Sequence, residues 1–276
     1  MPELPEVETA RRGIAPWIAG VRLTGAVIRE RRLRWPIPAG FEAAVAGCRV
    51  VAVERRAKYL LLPLARDGRP AGTLLLHLGM SGSVRVVPAA TPPRTHDHVD
   101  LQLEGGRCLR LHDPRRFGCL LRLDGDPGRH PLLRDLGPEP LGPRFDGAHL
   151  AALARGRTAP VKCFVMDAKV VVGVGNIYAS EALWRAGIHP RRPAGRVAAA
   201  RFGALAAAIR AVLSAAIEKG GTTLRDFVRA DGSDGYFRIE LAVYDRAGEP
   251  CPRCRRPLRS ERIGQRSSFF CPRCQR

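Results

Sequence analysis

The chain has 276 residues, 45% of them hydrophobic, and 46 basic side chains against 26 acidic ones, a formal net charge of +20. That length carries two ordinary domains or one large one with a sizeable core. No run approaches the length of a membrane span and no leader pattern opens the chain, so a soluble, cytoplasmic protein is expected. A charge surplus this large carries self-repulsion and points to a polyanionic partner, nucleic acid first. Lys58, Lys162, Lys169 and Lys219 are the lysines, and arginine supplies the rest. Compositional bias accounts for arginine over lysine, but not for the surplus over the acids.

In chain order, a helix is expected over Glu6–Ile18. Short apolar or alternating runs then follow at Val21–Arg29, Val50–Val53, Tyr59–Leu64, Gly72–Leu78, Ser83–Val87, Val99–Leu103 and Cys108–Leu111, separated by Gly, Pro and charged clusters. Such spacing predicts a β-sandwich or barrel. From Pro131 to Gly147 the composition is that of a linker. Helical periodicity resumes at Ala148–Ala154, Val161–Asp167, Ile177–Ala186, Ala198–Lys219 and Leu224–Val228, and the end of the chain turns β-like. The expected division is therefore 1–132, a linker over 133–147, 148–240 and 241–276.

The chain opens Met1-Pro2-Glu3-Leu4-Pro5-Glu6. Once Met1 is removed, Pro2 is a secondary amine at a free chain end, where an α-amino group has a pKa of about 7.7–8 and is partly unprotonated at neutral pH. Attack by such an amine on an aldehyde-like carbon gives an iminium, a good electron sink, with Glu3 and Glu6 close by for proton work. The same residues also read as a plain helix start, with proline and acids in the first turn. The two readings are compatible.

Of eight cysteines, Cys48, Cys108, Cys119 and Cys163 are scattered among apolar neighbours and read as small buried hydrophobes. Cys251-x-x-Cys254 and Cys271-x-x-Cys274, with 16 residues between, match a closed four-thiolate zinc site that stabilises rather than catalyses. Arginines crowd the segment between these knuckles, which suits phosphate contact. Val172-Gly173-Val174-Gly175-Asn176 leads into a helix, so Asn176 is positioned to cap it or to meet an anion, or the turn is a simple helix–helix connection. His77-Leu78-Gly79-Met80-Ser81-Gly82 and Asp113-Pro114-Arg115-Arg116-Phe117-Gly118 read as two loop tips. Each is either a wedge for a base stack or a turn with a packed side chain.

Together these segments resemble the bacterial formamidopyrimidine-DNA glycosylase family. The resemblance rests on PELPEVET (2–9), RRAKYLLL (55–62), HLGMSG (77–82), HDHVDL (96–101), DPRRFG (113–118), VVGVGNIYASEAL (171–183), GGTTLRDF (220–227) and the terminal four-cysteine ribbon. These run in order along the whole chain. It implies an α+β protein: an N-terminal β-sandwich with an N-terminal helix, a C-terminal helix–two-turns–helix domain, and a zinc-finger β-hairpin holding one structural zinc.

It further implies a bifunctional glycosylase and abasic-site lyase for oxidised purines, with double-stranded DNA as partner, no membrane, and a monomer working at the nucleoid. Pro2 corresponds to the nucleophile on C1′, Glu3 to the acid–base group and Glu6 to a supporting carboxylate. Lys58, His77, Asn176 and Arg266 fall where the family grips phosphates, with His96 and a base near Arg157 or Lys162 as further contacts. Met80, Arg115 and Phe117 match the residues that fill the gap left by the flipped base, Arg116 being the alternative to Arg115. Tyr236 lies in the stretch resembling the loop that closes over that base. About five extra residues around Ala65–Ala71 suggest a longer hairpin. Two competing functions are an oxidised-pyrimidine glycosylase of the endonuclease VIII type, against which the PELPEVET start argues, and a damage-binding protein without catalysis, against which intact Pro2 and Glu3 argue.

Overall fold

The computed structural model describes residues 2–220 and 241–276; the expected helix Leu224–Val228 and Tyr236 lie outside the described residues. The chain divides into two compact units, the first reaching Arg134 and the second holding Asp135–Lys219 with the C-terminal segment.

Helix α1 (Leu4–Ile18) opens the first unit and starts two residues before the expected Glu6. The reason is a capping box: Glu6 Oε2 accepts the Glu3 N–H at 2.8 Å, and the Glu3 carboxylate accepts the Glu6 N–H. Reciprocal caps of this kind satisfy first-turn donors that the helix itself leaves orphaned. Pro5 sits in that same turn, where its missing N–H costs nothing. Val7, Ala10, Ile14 and Ile18 form the buried stripe of α1.

The strands that follow are β1 (Leu23–Ile28), β2 (Arg49–Val50), β3 (Glu54–Arg56), β4 (Tyr59–Arg66), β5 (Arg69–His77), β6 (Ser83–Pro88), β7 (Asp97–Leu103), β8 (Arg107–His112) and β9 (Cys119–Leu123), with a short helix α2 (Phe41–Val45) before β2. One antiparallel sheet has the order β1-β7-β8-β6; the other runs β2-β4-β5-β9, with β3 also on β4. Leu60, Leu62 and Leu64 of β4 point inward at period two and join Leu74, Leu76, Val84, Val86, Val99, Leu101, Leu109 and Leu111 in one core. Each fully buried leucine there contributes about 1.5–3 kcal/mol.

Three details depart from expectation. The run Val50–Val53 is not one strand, since pairing stops at Val50 and resumes at Glu54. Strand β9 and helix α2 were not expected: β9 is short, its apolar residues Cys119, Leu120 and Leu121 adjacent rather than alternating, and α2 is too short to show a period. The extra residues form the tip of the β4–β5 hairpin, where Asp67 and Gly68 both have positive φ, as a two-residue type I′ turn requires.

The chain passes between the sheets three times, from β1 to β2, from β5 to β6 and from β8 back to β9. Because His77 pairs with Cys119 and Ser83 with His112, the connections 78–82 and 113–118 start and finish beside each other. The topology alone therefore places both loop tips together.

The second unit contains α3 (Gly147–Ala154), α4 (Val161–Met166), α5 (Asn176–Arg185), α6 (Ala199–Glu218) and the hairpin β10 (Arg259–Ile263) with β11 (Arg266–Phe270). The expectation that no run approaches a membrane span is corrected by helix α6, which is long and apolar enough by length and composition alone. Here its Phe202, Leu205, Ile209, Val212 and Leu213 lie in a core shared with Phe145, Leu150, Phe164, Tyr178 and Leu183. Residues 136–145 pack on this unit: Gly137 N–H donates to Ala168 O at 2.8 Å, and Phe145 is fully buried.

Two side chains fasten the C-terminal segment to α5. Buried Glu181 accepts three backbone N–H groups, from Ala242, Val243 and Tyr244, each at 2.9 Å. Arg253 lies 4.3 Å over the Trp184 ring and donates to Trp184 O and Arg185 O at 3.0 Å, closing the C-terminal end of the helix.

Candidate catalytic and nucleic-acid site

At the start of α1, Pro2, Glu3 and Glu6 are all buried, the two carboxylates only 3% and 2% exposed. The capping box fixes both acids within one turn of the Pro2 nitrogen. One turn further on, Glu8 anchors the helix. It pairs with Arg11 at 2.8 Å, Arg12 at 2.9 Å and Arg55 of β3 at 3.1 Å. Burial pushes the Glu8 carboxyl up, but hydrogen bonds from Arg11 and Arg12, the Arg11 charge and Arg55 overturn that and hold it at about 2. Arg11 also donates to Val53 O at 3.1 Å. The first turn of α1 is thus tied to the β3–β4 region.

Lys58 occupies the β3–β4 turn, after Ala57 at φ +54°. Tyr59 and His77 pair across β4 and β5, with ring centroids 4.8 Å apart. His77 Nδ1 accepts the Gly79 N–H at 3.0 Å. Burial, followed by the Lys58 and Arg34 charges, lowers the imidazolium pKa to about 4. His77 is therefore neutral at physiological pH, with the proton on Nε2, which leaves that nitrogen as the ring's donor.

Next to it, Gly79 at φ +65° allows the two inter-sheet connections to touch: a Cβ there would stand 2.6 Å from Gly118 N and Phe117 C. Met80 follows, half-buried. Buried Asp113 shapes the second loop by accepting the Gly118 N–H on Oδ2 at 2.8 Å and the Arg116 N–H on its carbonyl at 3.2 Å. Arg116, at φ +56°, pairs with Glu30 at 3.2 Å, and Glu30 also holds Arg32. Arg115 instead lies 4.8 Å over the Phe117 ring, which is 43% exposed. Arg116 is engaged elsewhere; Arg115 and Phe117 stand together at the tip.

His96 is exposed at φ +72°, its carbonyl accepting the Asp113 N–H at 3.0 Å and its ring edge-on to His98 and His112. Beneath it lies a buried ionic network. Asp97 pairs with Arg85 at 2.6 Å, and Asp100 pairs with Arg110 at 2.7 Å and Arg29 at 2.6 Å. Such networks fix geometry more than they add stability.

In the second unit, Asn176 is the first residue of α5 and Gly175 is its N-cap, so the expected capping role of Asn176 is corrected. Its Nδ2 reaches across to Ser267 O at 3.0 Å and Tyr244 Oη at 3.4 Å. Lys162 is corrected too. It is 1% exposed and its Nζ donates to Ser267 O at 3.0 Å and Ser268 Oγ at 2.7 Å, so it supports the β10–β11 hairpin rather than presenting a charge at the surface. The hairpin turn, Gly264-Gln265, has both φ values positive, and a Cβ on Gly264 would lie 2.4 Å from Cys163 Sγ of α4. Exposed Arg266 is the next residue. Asn176, Lys162 and Arg266 are brought together around Ser267. Arg157 is exposed beyond α3, and no described contact ties it to that group.

The four sulfurs of Cys251, Cys254, Cys271 and Cys274 lie within 4.8 Å of one another, with 3.5 Å between Cys254 and Cys271 and 4.0 Å between Cys251 and Cys274. Tetrahedral zinc at Zn–S distances of about 2.3 Å needs sulfurs about 3.8 Å apart. The cluster fits one structural zinc with no position left open.

Three family profiles match in order: the formamidopyrimidine-DNA glycosylase N-terminal domain over residues 1–120, its H2TH domain over 136–228, and the zinc finger found in FPG and IleRS over 248–276. A formamidopyrimidine-DNA glycosylase of Syntrophotalea carbinolica is 61% identical over 276 residues, covering all of both chains. The chain belongs to the formamidopyrimidine-DNA glycosylase family. The same glycosylase of Methylococcus capsulatus is 60% identical over the full length of both. Among solved structures of the family, MutM (Fpg) from Thermus thermophilus superposes with a TM-score of 0.87 at 40% identity, covering 99% of this chain and 98% of that one. Lactococcus lactis Fpg in complex with abasic-site DNA superposes with a TM-score of 0.90 at 31% identity, covering 99% of each. The α+β architecture with sandwich, helical region and zinc hairpin is that of the family.

Sequence reasoning missed the residues that hold others in place. Glu8 left a trace in its spacing to Arg11 and Arg12, but its bond to Arg55 did not. Asp113 and Glu181 gave no signal for these roles, since their partners are backbone groups, and the Glu30–Arg116 pair spans 86 residues.

Proposed function

We propose that this chain is a bifunctional DNA glycosylase and abasic-site lyase of base excision repair, acting on oxidised purines opposite cytosine. The observation that carries the reading is Pro2 immediately before a capping box of two buried carboxylates. Complexes of the related Lactococcus lactis Fpg with abasic-site DNA and with Fapy-dG-containing DNA support it.

The target carbon is inaccessible in a stacked duplex, so the damaged nucleotide is flipped out at a cost of a few kcal/mol. Met80, Arg115 and Phe117 fill the gap, with Arg115 facing the orphan base because Arg116 is held by Glu30. Lys58, His77, Asn176 and Arg266 grip phosphates, His96 and Arg157 add contacts, and Lys162 acts through the hairpin. Phosphate grips position the strand without reading sequence.

With Met1 removed, the Pro2 nitrogen lone pair attacks C1′ as the bond from C1′ to the base breaks; the electron pair leaves with the base, which takes up the proton that the Pro2 nitrogen then releases. Glu3 delivers a proton to O4′ as the sugar opens, leaving an iminium between Pro2 and C1′. Loss of a C2′ proton expels the 3′ phosphate, loss of a C4′ proton expels the 5′ phosphate, and water releases the amine. Glu6 holds Glu3 in place through its N–H. Zinc keeps the Arg266 hairpin folded and takes no part in these steps. The protein works as a single chain in the cytoplasm, at the nucleoid.

The test is excision from duplexes carrying 8-oxoguanine opposite cytosine, compared with duplexes carrying an oxidised pyrimidine. Base release and a one-nucleotide gap with phosphate ends are expected on the purine lesion. Faster excision of the pyrimidine would overturn the substrate class, and tight binding without cutting would overturn catalysis.

A further inference from the structure

The loop between α5 and α6 carries Arg191, Arg192 and Arg196, which none of the roles above uses. In the second unit a cavity of about 690 Å³ is lined by these arginines with His189, Pro193 and Arg276. Gln275 completes the wall, but its amide is spent on the Cys271 N–H and on Ile188 O. No acidic side chain lines the cavity; the main-chain oxygen of Arg276 accepts from Arg201 at 3.0 Å and from the His189 N–H at 3.3 Å. Glu261 pairs with Arg191, and among the described residues Arg192, Arg196 and Arg276 have no acidic partner.

The wall is preformed. Arg192 O accepts the Val161 N–H at 2.7 Å and Ala159 O accepts the Ala194 N–H at 2.9 Å, which fasten the loop to the start of α4. Arg276 N–H donates to Gly187 O at 2.9 Å, so the last turn of the chain closes the other side. His189 stands edge-on to Phe270 at 4.5 Å, and its Nδ1 accepts the Arg191 N–H at 3.3 Å, which leaves Nε2 to donate. Burial, then the Arg191 and Arg192 charges, lower the His189 pKa, so this ring stays a neutral donor.

We propose that this cavity is a second phosphoryl-binding site, separate from the residues assigned to the lesion. Three guanidinium groups without acidic partners and one imidazole N–H supply donors for a tetrahedral oxyanion; a carboxylate, with two oxygens, would leave much of that set unused. Guanidinium forks match phosphate oxygens bidentately, and the Pro193 ring with the arginine stems offers an apolar wall for the sugar beyond. The phosphoryl group comes either from flanking DNA backbone or from a free phosphorylated compound. The first source rests on the DNA-repair reading; the pocket itself does not.

The test titrates pyrophosphate into the zinc-loaded full chain while following the His189 side-chain NMR signals. A saturable shift is expected in the wild type, weakened at least about tenfold in R192Q/R196Q, since each charge-assisted bond is worth about 1.5–3 kcal/mol. Zinc content and Tm confirm that the variant is folded, and R276Q serves as an independent variant on the opposite wall. No saturable shift, or an equal one in the variants, overturns the site. If flanking DNA is the source, the slope of log affinity against log salt for a long undamaged duplex falls by about two in R192Q/R196Q. An unchanged slope with lost pyrophosphate binding assigns the free compound.

Discussion

His77 is the residue whose protonation state most sharply tests how the site is built. Its Nδ1 is occupied by the Gly79 N–H, and its pKa is lowered from 6.5 to about 4 by burial first and then by Lys58 and Arg34. A histidine lowered in the folded state binds fewer protons there than when unfolded. Its contribution to stability is therefore intact above the unfolded pKa and is lost as pH falls from about 6.5 towards about 4. From those two values the loss is about 2 kcal/mol at about pH 5 and about 3 kcal/mol at about pH 4 relative to neutral pH. The assay is urea unfolding of wild type and H77Q, which cannot titrate, at neutral pH and at about pH 5, beside an NMR titration of the histidine side chains. The wild type should lose about 2 kcal/mol more than H77Q over that interval. Titration of His77 at its ordinary value, or an equal loss in both proteins, would refute the neutral-donor account.

Three further outcomes follow from the geometry. Gly79→Ala places a Cβ 2.6 Å from Gly118 N at a positive φ, so the loop carrying Phe117 must shift; a stability loss above about 2 kcal/mol and slower lesion excision are expected, checked by unfolding and single-turnover assays. Glu3→Gln keeps an acceptor for the helix cap but removes the proton donor; the excision rate should fall by about 10²–10⁴ with duplex affinity nearly unchanged, and an equal loss in both would reassign Glu3 to binding. Removing zinc with a chelator should release the β10–β11 hairpin and abolish tight DNA binding while the sandwich stays folded, followed by metal analysis, circular dichroism and gel shift.

Much of the site was legible because its chemistry sits in short contiguous segments. Pro2, Glu3 and Glu6 share one turn, the cysteines fall in two knuckles, and the two loop tips are marked by glycines that permit close approach. What escaped were relations between distant residues. The sequence offers Lys162 as a surface base, yet α4 turns it inward beneath Ser267 and Ser268, where backbone and hydroxyl acceptors stabilise its ammonium. Asn176 follows a glycine turn and reads as a cap, but Gly175 takes that position and the amide is drawn to the hairpin instead. The choice between Arg115 and Arg116 depended on Glu30, a residue 86 positions away. Strand β9 was hidden because three consecutive buried residues, Cys119, Leu120 and Leu121, erase the alternation that marks a half-buried strand.

The central claim is that the amine of Pro2 forms the covalent intermediate. Borohydride trapping on a duplex with 8-oxoguanine opposite cytosine, with the adduct mapped by mass spectrometry, tests it most directly. A reduced cross-link on Pro2, with Met1 absent, is the predicted result. A cross-link on a lysine, or none despite salt-sensitive binding to the same duplex, would contradict it.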